Sequence, residues 1–166
     1  MQHSGLISGR RVLDLCTGSG FVALAAAEMG CASVTAFDIC PHAVHSTRGN
    51  AAVAGVDIEA VSPGLGPAWA WNAGSDGRLV LDPLCASASN LLCDGGSLLL
   101  VQSALAGVHR SLDCLRSTGL DAEVVAHKWI PFGPVLSARA SWLEEIGLLQ
   151  RGCREEQLVV IRADKP

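Results

Sequence analysis

Two glycines and two carboxylates near the beginning of the chain are the residues best suited to build a ligand site. Asp14 lies inside a short apolar run, Gly18 and Gly20 follow that run, and Asp38 comes at the end of the next one. The six residues from Gly18 fit the pattern Gly-x-Gly-x-x-Ala, which is typical of a nucleotide-binding turn between a strand and a helix. Glycines allow a tight turn and close approach of a ligand, and the helix that follows offers free N–H groups.

The two carboxylates indicate which nucleotide would bind. Asp38, placed about twenty residues after the turn, can accept hydrogen bonds from both hydroxyls of a ribose. Asp14 would repel a pyrophosphate, whereas S-adenosylmethionine carries no phosphate and has an amino group that an acid can hold. The pattern therefore favours S-adenosylmethionine over a nicotinamide dinucleotide, and a purely structural glycine turn is the third interpretation.

The elements that must position these residues follow from hydrophobic periodicity and turn signals. We predict strands at 12–16, 33–39, 56–61, 97–102, 122–130 and 157–162, and helices at 21–29, 42–54, 77–92, 108–117 and 135–149. The helical crossovers suit parallel strands, whose carboxyl ends would carry both the glycine turn and Asp38. We expect an α/β Rossmann-like fold with a mostly parallel sheet, helices on both faces and an antiparallel C-terminal edge strand.

Composition limits the class of protein. The chain of 166 residues is 49% hydrophobic and 17% charged, which excludes a disordered chain and predicts a single domain over 1–166. A net charge of −4 gives no support for binding to nucleic acid. No apolar run approaches the ~20 residues of a membrane span, and no signal peptide is evident, so we expect a cytoplasmic protein.

Neither the cysteines nor the histidines indicate a metal site. The seven cysteines are scattered and include no Cys-x-x-Cys pair, so we interpret them as small buried hydrophobes. His42 and His45 could share a metal ion, but no third ligand is evident near them. We therefore expect no metal.

Several segments resemble the HemK-type glutamine methyltransferases and their relatives. The residues concerned are 11–20, 34–39, the helix containing Ala43 and Asn50, and 51–56, with weaker similarity at 74–78 and 95–100. The resemblance covers most of the chain, although only the first third is densely matched. It implies a methyltransferase that uses S-adenosylmethionine and acts on an amide or amine nitrogen of a protein. Transfer of this kind depends mainly on orientation, so we assign no catalytic residue.

The resemblance also implies roles for individual residues. Asp14, Gly18 and Gly20 would line the methionine side of the cofactor, and Asp38 would hold its ribose. The full set that we assign to the cofactor site is Asp14, Cys16, Thr17, Gly18, Gly20, Asp38 and Ile39. Cys16 stands where the family commonly has glycine.

One departure from the family concerns the acceptor site. Family members have a fourth strand that ends in Asn-Pro-Pro-Tyr and grips the nitrogen to be methylated, and this chain contains no such motif and no tyrosine. Only residues 1–9 precede the first strand, where the family has a helix. We expect a domain truncated at its N-terminus and internally near 62–67. A deletion, missing residues and a degenerate homologue that binds only cofactor or a partner are the alternatives.

Two expectations follow from the shortened middle of the chain. If the 166 residues are continuous, strand 97–102 should pair directly with strand 12–16, because an open sheet centre would leave buried N–H and C=O groups unpaired. Trp69 and Trp71 would form either a wall for a planar substrate or a lid on the core. Asn72 would then replace the asparagine of the lost motif.

Overall fold

The computed structural model describes residues 4–64 and 73–166. The chain divides into two compact units, Met1–Asn72 and Ala73–Pro166, which are presented in turn. Within the described ranges, no helix is long and apolar enough to cross a membrane. Trp69, Trp71 and Asn72 lie outside the described residues, and so do the proposed roles of their side chains.

The first unit is a three-stranded parallel sheet with the order β1-β2-β3. Its elements are α1 (Ser4–Ile7), β1 (Arg11–Leu15), α2 (Phe21–Glu28), β2 (Ser33–Phe37), α3 (Pro41–Ala54) and β3 (Glu59–Val61). Each strand returns to the sheet through a helix, as the crossover lengths predict. Pro41 occupies the first turn of α3, where its missing N–H costs nothing.

Small side chains form the core of this unit. Ala23 and Ala26 of α2 are buried against Val34 and Ala36 of β2, so the helix approaches the sheet closely. Along β1 the side chains alternate between the two faces of the sheet, and Leu13 and Leu15 lie on the exposed face: Leu13 is 49% exposed and Leu15 36%. The packed face is therefore the one that carries Asp14, which pairs with Ala36.

The second unit contains an antiparallel sheet with the order β4-β6-β5. Its elements are α4 (Leu81–Leu91), β4 (Ser97–Ser103), a 3-10 turn (Ala104–Ala106), α5 (Val108–Ser117), β5 (Asp121–Pro131), α6 (Pro134–Glu145) and β6 (Glu155–Asp164). The C-terminal strand is antiparallel, as predicted. It lies between β4 and β5 and not at the predicted edge, and it pairs with both neighbours.

The strand ladders correct one expectation. We expected residues 97–102 to pair with 12–16, but β4 pairs with β6 and β1 pairs with β2. All seven residues of β4 take part in the ladder with β6, so that one edge of β4 is paired within its own unit.

A buried arginine fixes the beginning of the second unit. Arg78 is 3% exposed, and its Nε donates to Asp82 Oδ1 at 2.7 Å. Its Nη1 donates to the carbonyl oxygens of Ala106 and Gly107, and both terminal nitrogens lie 3.2 Å from Ser111 Oγ. Helix α4 begins at Leu81 and not near Gly77, because the preceding residues form the turn that inserts this guanidinium.

Candidate functional site

The glycine turn directly follows β1. Gly18 and Gly20 have φ values of 58° and 84°, in the left-handed region that favours glycine. The Gly20 N–H donates to the Thr17 carbonyl oxygen at 2.9 Å, which closes the turn before α2 begins at Phe21. An alternation of apolar residues in β1 and an alanine-rich α2 thus place the turn at the carboxyl end of the sheet.

The two glycines are needed for different reasons. A Cβ atom on Gly20 would lie 2.7 Å from Cγ2 of the buried Thr47 in α3, so this glycine permits contact between two segments of protein. A Cβ on Gly18 would meet no atom within 4 Å, so its space is open. The geometry thus leaves space beside Gly18 and none beside Gly20, and the expectation that both glycines admit a ligand stays a prediction.

Asp38 joins the turn to the end of β2. The residue is 8% exposed, and its Oδ2 accepts the Gly18 N–H at 2.9 Å while its Oδ1 accepts the Cys40 N–H at 2.9 Å. A carboxylate has about four acceptor positions, so each oxygen keeps one for a further donor. From the sequence, Asp38 was predicted only to bind the ribose. In the structure it also holds the glycine turn.

Asp14 reaches the beginning of α2 from inside β1. Its Oδ2 accepts the hydroxyl of Thr17 at 2.6 Å and the N–H of Ala23 at 3.1 Å. The carboxylate therefore satisfies one of the N–H groups that a helix leaves free at its first turn. Thr17 is itself buried, and its N–H donates to the Phe37 carbonyl oxygen. These contacts bring Asp14, Thr17, Gly18 and Asp38 together.

Cys16 lies between the two carboxylates in a strained conformation. Its φ of 61° is the one positive value of a non-glycine residue in the described ranges, which explains why glycine suits this position. The residue is exposed, yet partial burial raises the pKa of its thiol above the usual range. The negative charges of Asp38 and Asp14 raise that pKa further. A thiol held protonated is a poor nucleophile.

Ile39 contributes through its backbone. Its carbonyl oxygen accepts the Ser62 hydroxyl at 3.2 Å, and Ser62 Oγ also accepts the N–H of Gly64. Ser62 directly follows β3. Its hydroxyl links the ends of β2 and β3, a link that the sequence analysis did not foresee.

The hydrogen bonds leave a set of donors around the turn. The N–H groups of Ser19, Phe21 and Val22 donate to no group in the described part of the chain, whereas the carbonyl oxygens of the turn all accept protein donors. These N–H donors could bind the carboxylate of S-adenosylmethionine. Asp14 Oδ1 could accept a hydrogen bond from its ammonium group, and Asp38 could accept hydrogen bonds from the two hydroxyls of its ribose. The residues present therefore fit S-adenosylmethionine, and the assignment of each residue to a part of it stays a prediction.

Two residues of α3 that touch the turn were absent from the predicted site. Thr47 Oγ1 donates to the Gly18 carbonyl oxygen at 3.2 Å, and Asn50 Nδ2 donates to that of Ser19 at 2.9 Å. Asn50 was part of the family resemblance, which gave a signal that it matters. Thr47 gave none, because a threonine inside a helix is ordinary in sequence.

Metal-binding residues do not gather in the described structure. Across 4–64 and 73–166, no three side chains of His, Cys, Asp or Glu come close enough to hold an ion. His42 Nδ1 lies 4.0 Å from Cys40 Sγ at the start of α3, and no acidic residue completes a site there.

The sequence of the chain is similar to those of known methyltransferases. The family model "Ribosomal protein L11 methyltransferase" matches residues 4–65, the part that contains the glycine turn. A Methanocaldococcus jannaschii protein named for an inferred protein N5-glutamine methyltransferase activity is 25% identical over 162 residues, covering 81% of this chain and 82% of the relative. The release factor glutamine methyltransferase of Deinococcus radiodurans is 33% identical over 147 residues, covering 69% of this chain and 52% of the relative.

Solved structures match the fold. A methyltransferase from Pyrococcus furiosus superposes with a TM-score of 0.65 at 16% identity, over 97% of this chain and 78% of that one. This likeness confirms the predicted Rossmann-like methyltransferase fold, and the sequence relatives set aside a nicotinamide cofactor in favour of S-adenosylmethionine. Fold, glycine turn and relatives together identify the chain as a class I S-adenosylmethionine-dependent methyltransferase.

Proposed function

We propose that the chain methylates a glutamine amide nitrogen of a protein, in the manner of the HemK-type enzymes. The observation that carries this proposal is the extent of the matches. The two glutamine methyltransferase relatives align with 81% and 69% of the chain, far beyond the cofactor turn. The L11 methyltransferase model stops at residue 65, so it matches only residues of the first unit.

The first unit would hold the cofactor through the groups already located. Asp38 would accept the ribose hydroxyls, Asp14 the amino group, and the N–H groups from Ser19 to Val22 would hold the carboxylate. Bound S-adenosylmethionine would supply an electrophilic methyl group to the acceptor nitrogen, with the sulfur keeping the electron pair of the broken bond and the nitrogen giving up a proton. We assign no catalytic residue, because orientation of the acceptor carries such a transfer.

We further propose that the acceptor part of the chain is shortened internally, near 62–67. The M. jannaschii match extends over 162 positions, whereas 81% of this 166-residue chain is about 134 residues. About 28 positions of the relative thus have no counterpart here. The missing Asn-Pro-Pro-Tyr motif is consistent with such a gap.

This gap supports a second candidate function. A homologue that binds S-adenosylmethionine without transferring its methyl group would keep the turn and lose the acceptor motif, which is the combination seen in this sequence. The two candidates predict the same cofactor binding and differ in methyl transfer alone.

Methyl transfer to purified proteins tests the proposal. The chain is incubated with S-adenosylmethionine labelled in its methyl group and with either a peptide-chain release factor or ribosomal protein L11, both from a bacterium. We expect label on a glutamine of the release factor, located by mass spectrometry, and none with the Gly18→Val variant. Label on L11 alone would overturn the acceptor assignment. Cofactor binding without transfer to either protein would establish the second candidate.

A further inference from the structure

Helix α3 supports the glycine turn from the side of its carbonyl oxygens. Thr47 and Asn50 are three residues apart, so they lie on the same face of the helix. Their side chains donate to consecutive carbonyl oxygens of the turn, those of Gly18 and Ser19. Two neighbouring peptide groups are thereby tied to one rigid element.

Thr47 is fixed more firmly than a surface side chain would be. It is 0% exposed, and its methyl group occupies the space that the missing side chain of Gly20 leaves free. A threonine hydroxyl held by such packing has few other orientations, so the bond to the Gly18 carbonyl is part of the packing. Asn50 is exposed and contributes a hydrogen bond with little burial.

The orientation of the carbonyl oxygens determines the orientation of the N–H groups. A peptide group is planar, so holding an oxygen on the α3 side turns the next N–H to the opposite side. The Gly18 carbonyl belongs to the same peptide group as the Ser19 N–H, one of the donors that have no partner among residues 4–64 and 73–166. Thr47 therefore fixes the orientation of the Ser19 N–H through the peptide group that it shares with the Gly18 carbonyl.

We propose that Thr47 and Asn50 are positioning residues for S-adenosylmethionine, because they hold the turn in its binding geometry before the cofactor arrives. The proposal rests on the cofactor assignment made above. Groups that are oriented in advance lose less freedom on binding, so releasing them weakens affinity even though neither side chain is assigned a contact with the cofactor.

The test separates hydrogen bonding from packing. Thr47→Val keeps the shape and removes the hydroxyl, whereas Thr47→Ser keeps the hydroxyl and removes the methyl group. Asn50→Ala removes the hydrogen bond to the Ser19 carbonyl oxygen, and because alanine favours helix, the substitution should not disturb α3. The matched control variants are Thr35→Val, whose hydroxyl bonds Glu59 in the same unit, and Val53→Ala, which changes a 91% exposed residue of α3.

The measurements are the dissociation constant for S-adenosylmethionine by calorimetry and the melting temperature without cofactor. We expect Thr47→Val and Asn50→Ala each to weaken binding about three- to tenfold. Thr47→Ser and both controls should stay within about twofold of the unmodified chain. The Val variant and the Ser variant should melt at similar temperatures if the hydroxyl acts on binding.

Three results would overturn the inference. Equal affinity of Thr47→Val, Asn50→Ala and the unmodified chain would show that the turn needs no support from α3. A fall in melting temperature for Thr47→Val with unchanged affinity would assign Thr47 to stability alone. Absence of binding in the unmodified chain would instead refute the cofactor assignment itself, and hence both proposals. Because Asn50 is exposed, its variant keeps the test valid should Thr47 variants fail to fold.

Discussion

Asp38 Oδ2 accepts the Gly18 N–H at 2.9 Å, so the end of β2 fixes the turn that follows β1. The same carboxylate holds the Cys40 N–H through its other oxygen. One side chain therefore couples the glycine turn, the end of a neighbouring strand and the beginning of α3. Any change at Asp38 should consequently affect both the stability of the first unit and cofactor affinity.

Asp38→Asn should reveal this double role. One oxygen becomes an NH₂ group that faces a backbone N–H, so a donor meets a donor and the free energy of unfolding should fall by about 1–3 kcal/mol. Affinity for S-adenosylmethionine should fall at least tenfold, an effect that Asp38→Ala shares. Urea titration and calorimetry measure the two quantities. Undiminished affinity in both variants would remove Asp38 from the cofactor site.

Gly18→Ala and Gly20→Ala should separate binding from folding. An alanine at 18 meets no atom, so it should cost only about 1–2 kcal/mol of backbone strain while obstructing the cofactor. An alanine at 20 would also collide with Thr47, and its cost should be larger by about 1–3 kcal/mol. Thermal unfolding and calorimetry of both variants check the order. Equal losses of stability would show that Thr47 can move aside.

Cys16→Gly should stabilise the chain. The left-handed conformation costs an L-residue about 1–2 kcal/mol, while the greater freedom of glycine in the unfolded state costs about 0.5–1 kcal/mol. The net gain should be about 0.5–1 kcal/mol by urea unfolding. Cys16→Ala is the control: it retains the Cβ and should show no such gain. A loss of stability with glycine would mean that the thiol makes contacts that outweigh the strain.

The Cys16 thiol should react slowly with alkylating reagents at neutral pH. Burial, with Asp38 and Asp14, raises its pKa above the ordinary 9.0, which reduces the thiolate fraction. The folded state binds the thiol proton more tightly than the unfolded state does. The contribution of this proton to the free energy of unfolding is therefore fully present below about pH 9 and is lost as the pH rises through the pKa of the folded state. Mass spectrometry after iodoacetamide treatment, with exposed Cys93 as reference, measures the rate. Faster labelling of Cys16 than of Cys93 at pH 7 would contradict the assignment.

Arg78→Met should destabilise the second unit strongly. Removing the guanidinium leaves the Ala106 and Gly107 carbonyl oxygens and Ser111 without their donor, and we expect a loss of about 3–5 kcal/mol. Arg110→Met is the matched control: Arg110 also pairs with Asp82 but is 59% exposed, so its loss should stay below about 1 kcal/mol. Urea unfolding followed by far-ultraviolet circular dichroism compares them. Similar effects of the two variants would refute the claim that burial makes Arg78 essential.

Local patterns allowed much of the fold to be predicted. Helix α5 has the predicted bounds, and β1, α2, β2 and α3 differ from prediction by one or two residues at an end. Apolar periodicity and glycine or proline punctuation determine such elements over a few residues. The position of β6 between β4 and β5 depends on pairing over long sequence separations, which periodicity does not encode.

The sequence by itself determined the class of the protein and the location of its glycine turn. A Gly-x-Gly turn after an acid-bearing strand is a local feature, so its residue types and spacing are enough to recognise it. Only the tertiary structure decided what each residue does there: Gly20 makes room for Thr47, Asp38 holds the turn, and Cys16 adopts a conformation suited to glycine. These roles depend on side chains brought together from β1, β2 and α3. The separation of these residues along the chain does not predict that they meet, because contacts between elements form only when the sheet and its helices pack together.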